Sequence, residues 1–292
     1  MTTATTTAEI ATDIVSDILK TISIPPCPTI LSTLLAEGRR DDVDFQKIIR
    51  LINGDLGLAA SMMKTANSPF FGLRQKVQSV NQAVSILGLK NVLNIVTSVA
   101  LKQALAPKQI NMERFWDRSN YHAVVSSRLA RRLPGIAAED AYTFGLFHDC
   151  GIPILMQRFP DYKETLALAN QSARPAREIE NARHNTDHAA VGAMLARNWQ
   201  LPAFIVDTIR VHHDMTLLTG GSSDTPSEVC GLTAISLVAD HLIARFLGAA
   251  EESEWMSHGV DALNYLGFDE GELADMSHDI NEELSTIRAD RS

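Results

Sequence analysis

The chain carries nine histidines, and all of them lie beyond residue 120. Five form a pattern with two aspartates: His122, the adjacent pair His148-Asp149, His188, the pair His212-His213, and Asp240. Imidazole and carboxylate are the donors that borderline divalent cations take. A carboxylate such as Asp149 can bridge two cations while neighbouring imidazoles cap each one. Neighbours on a helix point about 100° apart, so His148 and Asp149 suit one group per cation, or a bridging group beside a terminal one. Bound cations would also offset the charges of Asp149 and Asp240. Without them, each buried carboxylate needs a hydrogen-bonding partner or a raised pKa. One or two divalent metal ions are expected, and iron, manganese, zinc and nickel all fit this donor set.

A single histidine on an apolar helix is more often a satisfied core residue than a ligand. The case for metal rests on the whole order, in which an H is followed 26 residues later by HD, then by H, HH and D. His184, His241, His258 and His278 stand outside that order and read as surface or structural residues. Cys150 follows the HD pair directly, but no spare general base accompanies it, so it reads as structural rather than as a nucleophile.

Helices must position these groups. Period-2 alternation and hairpin turns are nearly absent, while 3.6-residue periodicity is pervasive, so the fold class is all-α. Helices are predicted over about 8–22, 28–37, 43–53, 55–66, 79–87 and 89–105, with a break near Gly88 and a stop at Asn67-Ser68-Pro69. Asn67 and Ser68 read as capping and turn residues. Ala106-Pro107-Lys108-Gln109 marks the expected boundary, giving an N-terminal helical bundle over 1–110 and a second helical domain over 111–292. Beyond the boundary, helices are predicted over about 112–132, 138–158, 160–170, 174–184, 187–199, 202–214, 228–247, 258–266 and 269–287, with a flexible loop at 217–228. Each candidate ligand then falls on a helix. Val191, Leu195 and Trp199 follow His188 along one face, and Ile205 and Ile209 precede His213 on another. Leu237 ties the face of Asp240 to the core, and the small Ser236 leaves room for a cation. All seven side chains are therefore expected to converge in one cavity, with Arg118, one turn before His122, pointing into it.

Several of these stretches resemble a known family. The order His122, His148-Asp149, Asp240 is that of the HD superfamily of metal-dependent phosphohydrolases. MKTANSPFFGLRQKVQSVNQAVSILGLKNV, beginning at Met63, is similar to the N-terminal half of the HDOD (HD-related output domain) family. FWDRSNYHA, GLFHDCGIPIL and TDHAAVGAMLARNWQLPAFIVDTIRVHHD are similar to its C-terminal half. The resemblance covers about residues 20–250. It implies two helical subdomains, the second an HD-like helical domain, in a bacterial signalling protein whose relatives have generally lost catalysis. The metal-binding order of HD-GYP cyclic-di-GMP phosphodiesterases is matched at His122, His148, Asp149, His188, His212, His213 and Asp240. Three positions depart from those enzymes. Arg118 stands where they have a Glu, Ile152 where they have a Lys, and Asp214-Met215-Thr216 where they have Gly-Tyr-Pro.

Composition sets the outer limits. Of 292 residues, 45% are hydrophobic and 21% charged, as in ordinary globular chains. The three cysteines are far apart and none sits in a CxxC, which argues against a disulfide scaffold or zinc ribbon and for a cytoplasmic location. The N-terminus lacks the basic and apolar regions of a signal peptide. No uninterrupted apolar run reaches the ~18–20 residues that span a bilayer, so no membrane partner is expected. The net charge of −9 argues against nucleic acid. It is unevenly spread: residues 1–110 carry a net +3 and residues 111–292 a net −12, with no carboxylate between Asp55 and Glu113. That acid-free stretch fits either a surface for an acidic partner or, more simply, helices solvated by a few lysines.

Two functions follow. One is a regulatory or scaffold module that binds a signalling protein partner and retains a metal site. The other is an active metal-dependent phosphohydrolase acting on a phosphorylated or nucleotide ligand, with metal-bound water as nucleophile and Arg118 as a possible phosphate contact.

Overall fold

Short acidic and hydroxyl residues start most helices of the first half. A computed structural model of the chain describes residues 21–67, 73–106, 110–172, 174–220, 225–249 and 253–289. Helix α1 (Thr29–Gly38) follows the IPPCP interruption. The Asp44 carboxylate accepts from the Lys47 amide and opens α2 (Phe45–Asn53). Asp55 does the same for α3 (Leu56–Ala66), and Ser79 for α4 (Val80–Leu105). Such caps satisfy amide groups that have no partner within the helix. Gly88 breaks α4 as predicted, with φ 78° and ψ 163°, a conformation that disfavours a side chain. The Asn67 side chain both donates to the Val77 carbonyl (3.0 Å) and accepts from the Val77 amide (2.7 Å), closing the segment between α3 and α4. Residues 8–20, Ser68, Pro69 and 107–109 lie outside the described residues.

The second half contains α5 (Glu113–Ala130), α6 (Ala138–Phe147), α7 (Gly151–Arg158), α8 (Tyr162–Gln171), α9 (Ala176–His184) and α10 (His188–Asn198). After these come α11 (Ala203–Val211), α12 (Thr216–Gly220), α13 (Ser227–Leu247), α14 (Ser253–Leu266) and α15 (Glu270–Ala289). The described residues are 76% helical and contain no strand. Helix α5 packs on α6 and α13, α10 on α7 and α11, and α11 on α13, which encloses a space among six helices.

Two expectations change. The predicted helix over 138–158 is two helices, α6 and α7, separated at His148, Asp149 and Cys150. Pro153 is the physical reason, because a proline clashes with the carbonyl four residues earlier, here that of Asp149. In the predicted loop over 217–228, Leu217–Gly220 belong to helix α12 and residues 227 and 228 begin α13.

One continuous apolar cluster runs from Ile22 to Ile287, with Trp199, Tyr162, Phe144 and Phe147 among its largest fully buried members. Polar contacts also join the two halves. The Trp199 indole N–H donates to the Pro25 carbonyl (3.1 Å), and the Gln157 amide to the Leu105 carbonyl (3.3 Å). Helices α4 and α13 are long and apolar enough by composition to cross a membrane, although neither is an uninterrupted apolar run. Their setting differs from that of a span: 83% of the apolar window of α13 is buried inside the fold, and α4 is broken at Gly88.

Candidate metal centre

His122 sits in the middle of α5 with no exposed surface. Its ring nitrogens lie near Ser126 Oγ (Nδ1, 3.1 Å) and Ser236 Oγ (Nε2, 3.3 Å). Ser236 is therefore a contact of His122 rather than merely a small residue leaving space. Helix α6 crosses α5 at this point, and a Cβ on Gly145 would lie 2.8 Å from the His122 carbonyl oxygen.

The helix ends supply four of the remaining groups. His148 caps α6, and its Nδ1 donates to the Gly145 carbonyl (2.7 Å). His212 caps α11 in the same way, donating from Nδ1 to the Ile209 carbonyl (2.8 Å). The last carbonyls of a helix lack intrahelical partners, so both rings settle where an acceptor is waiting three residues back. A carbonyl only accepts, which places a proton on each Nδ1. Burial keeps His212 neutral, so its Nε2 presents a lone pair, whereas burial opposes a charge on His148 but Asp149 raises its pKa. Asp149 and His213 are the next residues in these two turns. The expectation that every ligand sits on a helix therefore holds only for His122, His188 and Asp240.

His188 is the first residue of α10, which the Asp187 carboxylate caps through the Ala190 amide (2.7 Å). Its Nδ1 and backbone amide both donate to Glu180, a fully buried carboxylate that also accepts from the Tyr162 hydroxyl at 2.5 Å. The Glu254 carboxylate accepts from His213 Nδ1 (2.9 Å). Glu180 and Glu254 did not emerge from the sequence, because nothing in their spacing relates them to the histidines. On α13, Asp240 Oδ1 accepts from the Arg118 guanidinium at 2.9 Å.

The seven side chains meet in one space, in two groups. Asp149, His188, His212 and His213 form one; His122, His148 and Asp240 form the other, and within each the ligand atoms lie within 4.8 Å of one another. Asp149 joins them: its Oδ1 is 3.4 Å from His188 Nε2 and 4.0 Å from His212 Nε2, and its Oδ2 is 3.2 Å from His148 Nε2. The last distance lacks hydrogen-bond geometry, since the Nε2 atoms of His148 and His212 are buried without a partner.

Charge follows from this packing. Burial works against an ionised Asp149, yet His148, His188 and His212 hold its carboxyl well below the usual range. Burial likewise opposes a charged His188, but Glu180 and Asp149 lift it to about 9. Burial first, and then His148, push His122 down to about 3. Burial and three neighbouring imidazoles keep His212 neutral. The Cys150 thiol is buried and pushed well upward, so it is no ready nucleophile.

A divalent cation fits this donor set. His148 and His212 turn unpartnered Nε2 atoms to an ionised carboxylate, while carbonyls and carboxylates fix the far sides of the rings, as in known metal sites. His188 and His213 place Nε2 atoms 3.0 Å apart with both Nδ1 atoms turned to carboxylates, so only a proton or a cation reconciles them.

Outside the cluster, His184 is buried beside Thr165 and stacked on Phe159, and His241 is stacked on Trp255. Both are structural. His258 is half-buried and His278 is exposed.

The fold and the cluster together define a helical module of the HD type. The HDOD domain model matches residues 24–215, and the chain belongs to that family. An uncharacterized protein of Treponema pallidum (strain Nichols) is 28% identical over 197 residues, which is 66% of this chain; the chain spans 38% of that relative's length. An HDOD domain protein of unknown function from Geobacter sulfurreducens superposes with a TM-score of 0.75 at 21% identity, covering 97% of each chain. A Shewanella amazonensis SB2B protein named "putative phosphohydrolase" superposes with a TM-score of 0.73 at 20% identity, covering 96% of this chain and 98% of that one. At these identities the likeness to solved structures is one of fold.

Proposed function

We propose that this chain is a regulatory or output module of bacterial signalling that keeps an HD-type metal site and is not an efficient enzyme. His122, His148, Asp149, His188, His212, His213 and Asp240 hold one or two divalent ions, of iron, manganese, zinc or nickel. The observation that carries this reading is the pair of buried, unpartnered Nε2 atoms of His148 and His212 facing Asp149. Unmade bonds of buried polar groups cost about 1–3 kcal/mol each, and a cation removes that cost.

A bound metal would supply Lewis acidity and an activated water. The chain's own residues give a substrate little else. Ile152 is aliphatic where the resembling enzymes have a Lys. Asp214 folds back on Thr216, accepting from its amide (3.2 Å) and hydroxyl (2.6 Å), where those enzymes have Gly-Tyr-Pro. Arg118, the candidate phosphate contact, already pairs with Asp240. The module works in the cytoplasm, where its three cysteines stay as free thiols, and its output passes to a signalling protein partner. Nucleic acid and membrane play no part.

The nearly complete ligand set favours the second reading, an active phosphohydrolase acting on a phosphodiester or nucleotide. Elemental analysis of the purified protein and of Asp149→Ala, followed by a screen of phosphodiester and nucleotide substrates, separates the readings. Metal in the wild type, none in the variant and no turnover is the expected result. A wild-type protein that takes up no metal overturns the metal site. Robust turnover abolished by Asp149→Ala replaces the regulatory reading with the enzymatic one.

A further inference from the structure

The seven candidate ligands are not equivalent, and the difference bears on how many cations they hold. Asp149, His188, His212 and His213 converge on one space: His212 Nε2 has no partner, and the Nε2 atoms of His188 and His213 share one hydrogen bond at 3.0 Å, the spacing of two ligands on a single cation. Two nitrogens that each sit about 2.1 Å from one cation come roughly 3–3.5 Å apart.

In the second group His148 Nε2 is likewise without a partner but faces Asp149 Oδ2 at 3.2 Å, whereas Asp240 and His122 have partners of their own. Asp240 has a cation at 2.9 Å, the guanidinium of Arg118. His122 has a serine hydroxyl near each ring nitrogen. The rings of His122 and His148 are stacked, with centroids 3.8 Å apart and planes inclined by 22°. An imidazole lone pair lies in the plane of its ring. Two rings stacked in this way carry their lone pairs in nearly parallel planes, which works against one cation ~2.1 Å from both nitrogens and in line with both lone pairs. A dication on Asp240 would also stand within a few ångströms of a guanidinium that never deprotonates in this pH range.

We infer that the site holds a single cation, bound by Asp149, His188, His212 and His213, and that Arg118 is the fixed positive charge that takes the place of a second one on Asp240. This rests on the metal-binding reading above. Arg118 is then a positioning residue: it holds Asp240 and keeps the half of the cavity lined by His122 and His148 free of metal. His148 flanks the cation from Asp149 Oδ2.

The count of bound ions tests this directly. The purified chain is loaded with Mn²⁺, desalted and analysed for metal per chain, and its paramagnetic resonance spectrum is recorded. The expected result is one ion per chain with the six-line signal of an isolated Mn²⁺. Asp240→Asn should keep one ion, His212→Ala should lose it, and Arg118→Glu should raise the count toward two. Thermal unfolding of each variant confirms that it folds, and the wild-type spectrum requires no variant. Two ions per wild-type chain, or the spectrum of a coupled pair, overturns the single-cation site while leaving the metal reading intact. A count that stays at one in Arg118→Glu overturns the role of Arg118. No ion in the wild type overturns both readings together.

Discussion

Replacing Gly151 by alanine would put a methyl carbon 2.0 Å from the carbonyl oxygen of His188, 2.8 Å from its carbonyl carbon and 2.9 Å from the amide of Gly192. All three opposing atoms are backbone, so no side chain can swing aside. Relief to 3.0 Å, the shortest approach that real Cβ atoms show, requires α7 and α10 to part by at least about 1 Å. Overpacking of this kind costs about 1–3 kcal/mol, and two stiff helix ends place it near the upper figure. In a chain of this size each kcal/mol lowers the melting temperature by about 2–4 °C, so a fall of about 6–12 °C is expected. The same movement would carry His188 Nε2 from 3.4 Å to about 4.4 Å from Asp149 Oδ1. Two ligand atoms each ~2.1 Å from a shared ion cannot stand more than ~4.2 Å apart. Metal binding should therefore fail along with stability. Gly192→Ala is the control, since its Cβ would meet Ile209 Cγ2 at 3.2 Å and Cys150 Sγ at 3.3 Å, both on side chains that can give. Thermal unfolding and metal content of the two variants read the outcome. A Gly151→Ala protein that melts within about 2 °C of wild type and keeps its metal would refute the reasoning.

Glu180→Gln should weaken metal binding about 10–100-fold, because it replaces the carboxylate that orients His188; competition with a chelator measures it, and unchanged affinity would contradict that role. Cys150→Ala should leave the metal content at the wild-type level, and loss of metal there would make the thiol a ligand. The metal-free chain should be most stable near pH 6.5. His122, held neutral down to about 3, contributes stability that is complete above the unfolded value near 6.5 and lost as pH falls. His188, held charged up to about 9, contributes stability that is complete below about 6.5 and lost as pH rises through 9. Metal must displace the His188 proton, so saturating cation should move the maximum upward; melting curves across pH 4–10 with and without metal would expose a flat profile as a failure.

The donors themselves were legible because their chemistry is carried by residue type and order. His122, His188 and Asp240 also reveal their helices through the apolar neighbours at helical spacing. The placement of His148 and Asp149 in a turn was less visible, since the apolar pattern runs on through 138–158 without interruption. Pro153 held the signal, as its ring forbids a helical turn continuing across Asp149. Glu180 was out of reach for a different reason. It lies eight residues before His188 but on a different helix, α9, and only the packing of α9 against α10 turns it toward the imidazole. Arg118 differs, since its place one turn before His122 already suggested its direction; its partner Asp240 is 122 residues away, and only the packing of α5 on α13 brings the two together.

Helix α10 carries His188 as its first residue and is followed directly by Trp199, which hangs from the Pro25 carbonyl. An 11-residue helix is a rod about 16 Å long. Mechanically it is a rod hinged at the tryptophan, with the imidazole at its free end. A tilt of about 5° around the tryptophan would swing the opposite end by about 1.4 Å, more than the separation that Gly151→Ala imposes. A displacement around Pro25 that tilts α10 is therefore felt at the imidazole cluster, at the far end of the same rigid rod.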